Sequence, residues 1–140
     1  MFRLAVFVSF AVAASFVHAA SPMRPGLWEM TGRMQIESMK GEMPPFTTTH
    51  CVTPKDAEAA EKGTLPGAAK KGMENCKVTD YKLSGNKASW NVVCTGQHAM
   101  TGTGTMVFAG DSYTQKSVMK TQRGTMTLEN TGKRVGDCAK

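Results

Sequence analysis

The chain has 140 residues, a length that corresponds to one domain, and its 17 basic and 11 acidic residues give a formal net charge of +6. A domain of this size buries about two-thirds of its unfolded surface, enough for a single modest core. The basic residues are scattered along the sequence and not clustered, which argues against a nucleic-acid partner.

Residues 1–19 have the pattern of a secretory signal peptide. Arg3 supplies a positive charge, an apolar segment follows at 4–17, and Ala19 offers a small residue before the cleavage point. The apolar segment is shorter than the roughly 20 residues that a membrane-spanning helix needs. We therefore expect a periplasmic, monomeric protein whose mature chain, residues 20–140, is a single all-β domain without a transmembrane segment.

The mature chain begins with a predicted strand. Residues 26–36 alternate between apolar and polar side chains with a period of two, which is typical of a half-buried strand. Its apolar face carries Trp28, Met30, Met34 and Ile36, with a glycine between them. One side of this strand is therefore expected to face a core.

A returning strand and a short helix follow. Residues 46–52, with three threonines, predict the strand. Thr53 is a suitable N-cap, Pro54 suits the first helical position, and Asp56 completes the spacing of a capping box. We expect one short helix over residues 54–62.

A two-residue turn at 85–86 predicts a hairpin and its register. The turn sets Tyr81 opposite Trp90, but further from it the apolar residues match only if one strand contains an extra residue. A β-bulge near residues 79–80 supplies that residue. The cysteines that this register places opposite each other are Cys76 and Cys94.

A second hairpin turn at 110–111 and a third near 122–123 continue the same pattern. The second turn pairs Phe108 with Tyr113, Met106 with Gln115, Gly104 with Ser117 and Gly102 with Met119. Strands at this spacing predict an all-β fold, an antiparallel meander of six to seven strands that forms a curved sheet or a small barrel.

All four cysteines lie in the predicted mature chain. An even number in an exported protein favours two disulfides over free thiols or a zinc site. The hairpin register predicts Cys76–Cys94, and by elimination the other bond is Cys51–Cys138.

Several segments resemble the domain-of-unknown-function family 3617, a group of small exported bacterial proteins. The segments that carry the resemblance are MRPGLWE at 23–29, TTHCVTP at 48–54, CKVTDY at 76–81, GDSY at 110–113 and GKRVGDC at 132–138. The resemblance extends over almost the whole mature chain. The resemblance implies a bacterial, periplasmic protein of similar length, and it transfers no catalytic or ligand-binding residue.

The sequence contains no evident catalytic machinery. The mature chain has two histidines, no Gly-x-Ser-x-Gly motif and no paired carboxylates. His50 is adjacent to Cys51, but that cysteine is better explained as a disulfide partner than as a nucleophile. We therefore expect a protein that is not an enzyme and uses no cofactor.

The inward-facing positions suggest a place for a ligand. Gly102 and Gly104 fall on the inward face of a predicted strand, where they either allow the sheet to curve or leave room for a ligand. We expect a binding or accessory protein that uses an apolar face or cavity for an envelope ligand or protein partner. The candidate ligand-binding residues are Trp28, Trp90, Met106 and Met119.

A copper site is the alternative. Thioether and imidazole groups suit Cu(I), and Met39 and Met43 lie in a loop that precedes a strand containing His50. Most other methionines fall on inward positions, where they fill a core. The alternative function is therefore a Met/His copper-binding periplasmic protein that uses these three residues.

Overall fold

The computed structural model describes residues 23–39, 43–62, 74–97 and 99–139. The predicted signal peptide, residues 1–19, lies outside these ranges. The described elements, in chain order, are β1 (Gly26–Ile36), β2 (Phe46–Val52), α1 (Pro54–Glu61), β3 (Cys76–Ser84), β4 (Lys87–Cys94), β5 (Met100–Phe108), β6 (Ser112–Thr121) and β7 (Gly124–Gly136). Within the described ranges, no helix is long and apolar enough to cross a membrane.

The seven strands form one antiparallel sheet with the order β2-β1-β7-β6-β5-β4-β3. Strands β3 to β7 are a meander, and β1 adds beside β7 with β2 on its outer side. In the described part of the chain the edge strands β2 and β3 do not pair with each other, so the sheet is open. The predicted all-β meander with one short helix is confirmed, as a curved open sheet and not a closed barrel.

The predicted hairpin register of β3 and β4 is confirmed. Leu83 pairs with Ala88 next to the turn, and Val78 pairs with Val92 further out. The register shifts by one residue between these pairs. Asp80 lies in the shift and has a φ angle of 52°, the left-handed conformation that an extra bulge residue can adopt.

The β5–β6 and β6–β7 turns also lie where the sequence predicts them. All four predicted pairs of β5 with β6 are present, including Gly104 with Ser117 and Gly102 with Met119. Thr121 pairs with Gly124 across the third turn. Residues at even positions of β5 and odd positions of β6 therefore share one face.

Helix α1 begins with the predicted capping box. The Thr53 hydroxyl accepts a hydrogen bond from the Asp56 amide at 3.2 Å, and the Asp56 carboxylate accepts one from the Thr53 amide at 3.0 Å. The Thr53 hydroxyl also donates to the Asp56 carboxylate at 2.7 Å, and this bond, together with the one from the Thr53 amide, lowers the pKa of Asp56 below its ordinary value. Because the two backbone amides would otherwise lack a helical partner, the box fixes where the helix starts.

The sheet curls around α1. Its edge strands lie six strand spacings apart, or about 29 Å if the sheet were flat. The Tyr81 hydroxyl of β3 nevertheless donates a 2.8 Å hydrogen bond to the Ala60 carbonyl of α1, a helix only one residue after β2. Since eight helical residues span only about 12 Å, the two edges must approach each other around the helix. Helix α1 therefore lies on the concave face of the sheet.

Both predicted disulfides, Cys76–Cys94 and Cys51–Cys138, are present. Cys76–Cys94 joins paired residues of β3 and β4, with their Cα atoms 3.9 Å apart. Cys51–Cys138 joins β2 to the segment after β7, with a Cα separation of 5.5 Å. Because β1 lies between β2 and β7, the second bond holds three neighbouring strands together at one end.

Candidate functional site

The two faces of the sheet differ in charge. Among the described strands, no Lys, Asp or Glu side chain alternates to the concave face. Apart from tyrosines, the ionisable side chains of the strands on this face are Arg134 and His50. Both residues pair with Trp28, near the start of β1. The Arg134 guanidinium is already engaged there, since Nε donates to the Pro25 carbonyl at 2.8 Å. The other positions of the described strands on this face are uncharged.

The convex face carries the charged and threonine side chains. Lys116 and Glu129 pair across β6 and β7 with Nζ 2.8 Å from Oε1, and this hydrogen bond lowers the pKa of Glu129. Two shallow clefts on this face run past Thr31, Thr114 and Thr131. Both clefts are open to solvent, so they would enclose little of a ligand's surface.

One end of the concave face is a packed core, which we call the packed half. Trp28 is fully buried, its Nε1 donates to the Arg24 carbonyl at 2.9 Å, and its ring lies 5.6 Å from that of Tyr113. Helix α1 adds the buried Ala57 to this cluster. The other buried members of the packed half are Met23, Val52, Ala88, Trp90, Met106 and Phe108.

The other end of the face is apolar but only half-buried, and we call it the open half. Its side chains come from the adjacent strands β1, β7 and β6, where they pair in register. These residues are Met34, Ile36, Met119, Met126 and Leu128. Helix α1 packs against the packed half, so these side chains keep part of their apolar surface accessible.

The sequence-predicted ligand residues fall on both halves. Trp28, Trp90 and Met106 belong to the packed half and are 0%, 5% and 7% exposed. Met119 lies on the same face in the open half. Alternation along a strand predicted which face each residue occupies. Which of these side chains remain accessible depends on where α1 packs against that face.

The inward glycines provide room for neighbouring side chains. A Cβ atom built on Gly104 would overlap the Trp90 indole, and one built on Gly102 would lie 2.9 Å from Cγ of Met119. Gly132 is covered in the same way by the ring of Tyr113. The space that the missing side chains leave is therefore filled by these large residues and is not an empty floor.

A row of polar side chains separates the two halves, and sequence reasoning missed it. Asn130 Nδ2 donates to Gln115 Oε1 at 3.4 Å, and Gln115 Nε2 donates to Ser117 Oγ at 3.3 Å. Asn130 and Ser117 are 5% and 2% exposed. The signal in the sequence was polar residues at inward positions of two predicted strands, which a period-two reading treats as exceptions.

The residues of the alternative copper site lie at different places. Met39 and Met43 are 53% and 39% exposed in the connection between β1 and β2. His50 lies four residues after Phe46, the first residue of β2, or about 13 Å along the strand. Among the described residues there is no group of three or more His, Cys, Asp or Glu side chains that could hold a metal ion.

The fold and this face define a small, disulfide-linked, open antiparallel sheet with one helix on its concave side. The chain belongs to the family described as "Protein of unknown function (DUF3617)", whose sequence model matches residues 23–138. The resemblance carried by the five sequence segments is thereby confirmed. No curated protein and no solved structure gives a significant match.

Proposed function

We propose that this chain is a non-enzymatic binding protein of the bacterial periplasm that holds an uncharged apolar ligand on the open half of its concave face. The observation that carries the proposal is the five half-buried apolar side chains that lie together on adjacent strands. Contiguous apolar surface that remains accessible in a folded domain is typical of an interaction site. Large and uncovered side chains of this kind gain free energy when a ligand removes them from water.

The absence of charge on this face of the described strands favours an uncharged ligand. A charged group placed among these side chains would lose its hydration without gaining an opposite charge. Charged side chains of the same strands alternate to the convex face, where Lys116 and Glu129, for example, pair with each other. A neutral ligand avoids this cost.

The methionines favour a ligand of adaptable shape. Three of the five residues of the open half are methionine: Met34, Met119 and Met126. Methionine side chains are unbranched and polarisable, so they can change rotamer to fit different apolar surfaces. This composition is typical of binding surfaces that accept flexible chains.

Exported location is supported by two independent features. The chain contains two disulfides and no free cysteine, and such bonds persist in oxidising compartments. The predicted signal peptide at 1–19 points to the same route. In the aqueous periplasm, such a protein would shield an apolar molecule from water between the two membranes.

The proposal is tested with the uncharged fluorescent probe N-phenylnaphthylamine. We expect saturable binding to the wild-type protein and at least about tenfold weaker binding to Met119→Lys, because the substitution places a charge among the apolar side chains of the open half. Val118→Lys is the matched control, since Val118 precedes Met119 on the convex face and has similar partial burial. Its probe affinity should remain within about twofold of wild type.

Both variants must first show the circular dichroism spectrum of the wild-type protein. Failure of the wild-type protein to bind the probe contradicts the proposal. Equal losses in the two lysine variants would also contradict it, because a general effect of added charge would then explain the result.

A further inference from the structure

Asn130 has a buried amide oxygen without a hydrogen-bond donor. The residue is 5% exposed, and its Nδ2 donates to Gln115, but no described residue donates to Oδ1. Buried polar atoms in folded proteins are almost always paired, because leaving one unpaired costs its full desolvation. An unpaired acceptor at the boundary of the open half therefore points to a group that is supplied from outside the chain.

The surroundings of Asn130 connect this oxygen to the open half. Along β7, Asn130 lies between Leu128 of the open half and Gly132 of the packed half, and on β1 its partner is Gly32. A Cβ atom built on Gly32 would lie 2.6 Å from Asn130 Oδ1 and 2.8 Å from Cε1 of Phe46. The missing side chain of Gly32 thus makes room for both the oxygen and the phenyl ring.

The Phe46 side chain covers Gly32, next to Asn130 Oδ1. Phe46 is the first residue of the edge strand β2 and is 40% exposed, so its ring is held on one side only. Rotation of the ring away from Gly32 would open a path from solvent and the open half to Asn130 Oδ1. No such path leads through the packed half, where Trp28 and Tyr113 are buried.

We propose that the ligand is a neutral, lipid-like alcohol whose hydroxyl donates a hydrogen bond to Asn130 Oδ1 while its hydrocarbon chain lies on the open half. This inference rests on the proposed function and specifies its ligand. An amide oxygen only accepts hydrogen bonds, so the ligand must bring a donor. A carboxylate would bring negative charge against this oxygen, and the concave face of the described strands offers it no cation near Asn130.

The test compares two isomers that differ in one property. n-Decanol has a hydroxyl, and methyl nonyl ether has the same atoms without a donor. We expect decanol to displace N-phenylnaphthylamine from wild-type protein about five- to tenfold more effectively than the ether, which corresponds to one hydrogen bond to an otherwise unpaired acceptor. Decanoate should displace it at least about tenfold less effectively than decanol.

Asn130→Leu removes the acceptor and keeps the number and branching of the side-chain heavy atoms. This variant should bind the ether and decanol equally, because the hydroxyl no longer has a partner. A preference for decanol that survives in Asn130→Leu would overturn the inference. So would equal displacement by the two isomers in wild-type protein, although probe binding itself would leave the proposed function standing.

A measurement on isotope-labelled wild-type protein makes the result independent of how the variant folds. Saturation with decanol should shift the side-chain amide signals of Asn130, whereas saturation with the ether should leave them nearly unchanged. The side-chain amide of Asn91 is the control, since it lies on β4 at a convex position and donates to Asp80 at 2.7 Å. Unchanged Asn130 signals at saturating decanol would refute the inference.

Discussion

Replacing Trp90 with alanine is expected to lower the free energy of unfolding by about 3–5 kcal/mol. The indole is 5% exposed and lies over Gly104, which has no side chain of its own to fill the space. The substitution therefore leaves a cavity in the packed half. This loss is a large share of the roughly 5–15 kcal/mol that stabilises a typical domain. Urea unfolding followed by circular dichroism measures it.

Val93→Ala provides the control on the same strand. Val93 faces the convex side and is 40% exposed, so its truncation should cost less than about 1 kcal/mol. If Trp90→Ala melted like the wild-type protein but lost probe binding, Trp90 would belong to the binding surface and not to the core. That outcome would require a different packing of the concave face.

Removal of the Cys51–Cys138 bond is expected to have an effect of similar size. The two cysteines are 87 residues apart, and on the loop-entropy account a cross-link of this length stabilises the folded chain by about 4.5 kcal/mol. The double variant Cys51→Ser with Cys138→Ser should therefore unfold at much lower urea concentration. It should also release β2 first, because this bond holds the edge strand to the end of β7.

The second disulfide gives a matched comparison. Cys76 and Cys94 are separated by only 18 residues, so replacing both with serine should cost about 3 kcal/mol on the same account. Peptide mapping without reduction establishes first that each double variant retains the other bond. A larger loss for the shorter loop than for the longer one would contradict the entropic explanation.

The local structure of the sheet could be predicted because short turns leave little choice of register. A two-residue turn at 85–86 determines which residues of β3 and β4 face each other near it. The one-residue shift was visible in the sequence because the apolar positions of the two strands stop matching beyond Tyr81. The Cys76–Cys94 bond follows from the same register.

The long-range pairing could not be predicted in this way. Strand β1 lies between β2 and β7, and about 100 residues separate Trp28 from its β7 partner Arg134. No turn signal marks such a pair, because any strand with the same alternation could occupy that place. The position of α1 on the concave face depends on this pairing, and so does the division into a packed and an open half.

The sequence predicted which face of the sheet carries the candidate site, but not where on that face the site lies. Period-two alternation placed Trp28 and Met119 on the same side of the sheet, which the structure shows. Alternation contains no information on which inward residues a helix covers. The polar row with Asn130 was missed for a related reason, since its function depends on neighbours in other strands and not on local pattern.

The most direct test of the binding face uses the methionine methyl groups as reporters. With methyl-labelled methionine, saturation with N-phenylnaphthylamine should shift the signals of the three methionines of the open half, Met34, Met119 and Met126. The signals of Met23 and Met106, which are 2% and 7% exposed in the packed half, should move little. Shifts confined to Met23 and Met106, or to the exposed Met39 and Met43, would contradict a ligand site on the open half.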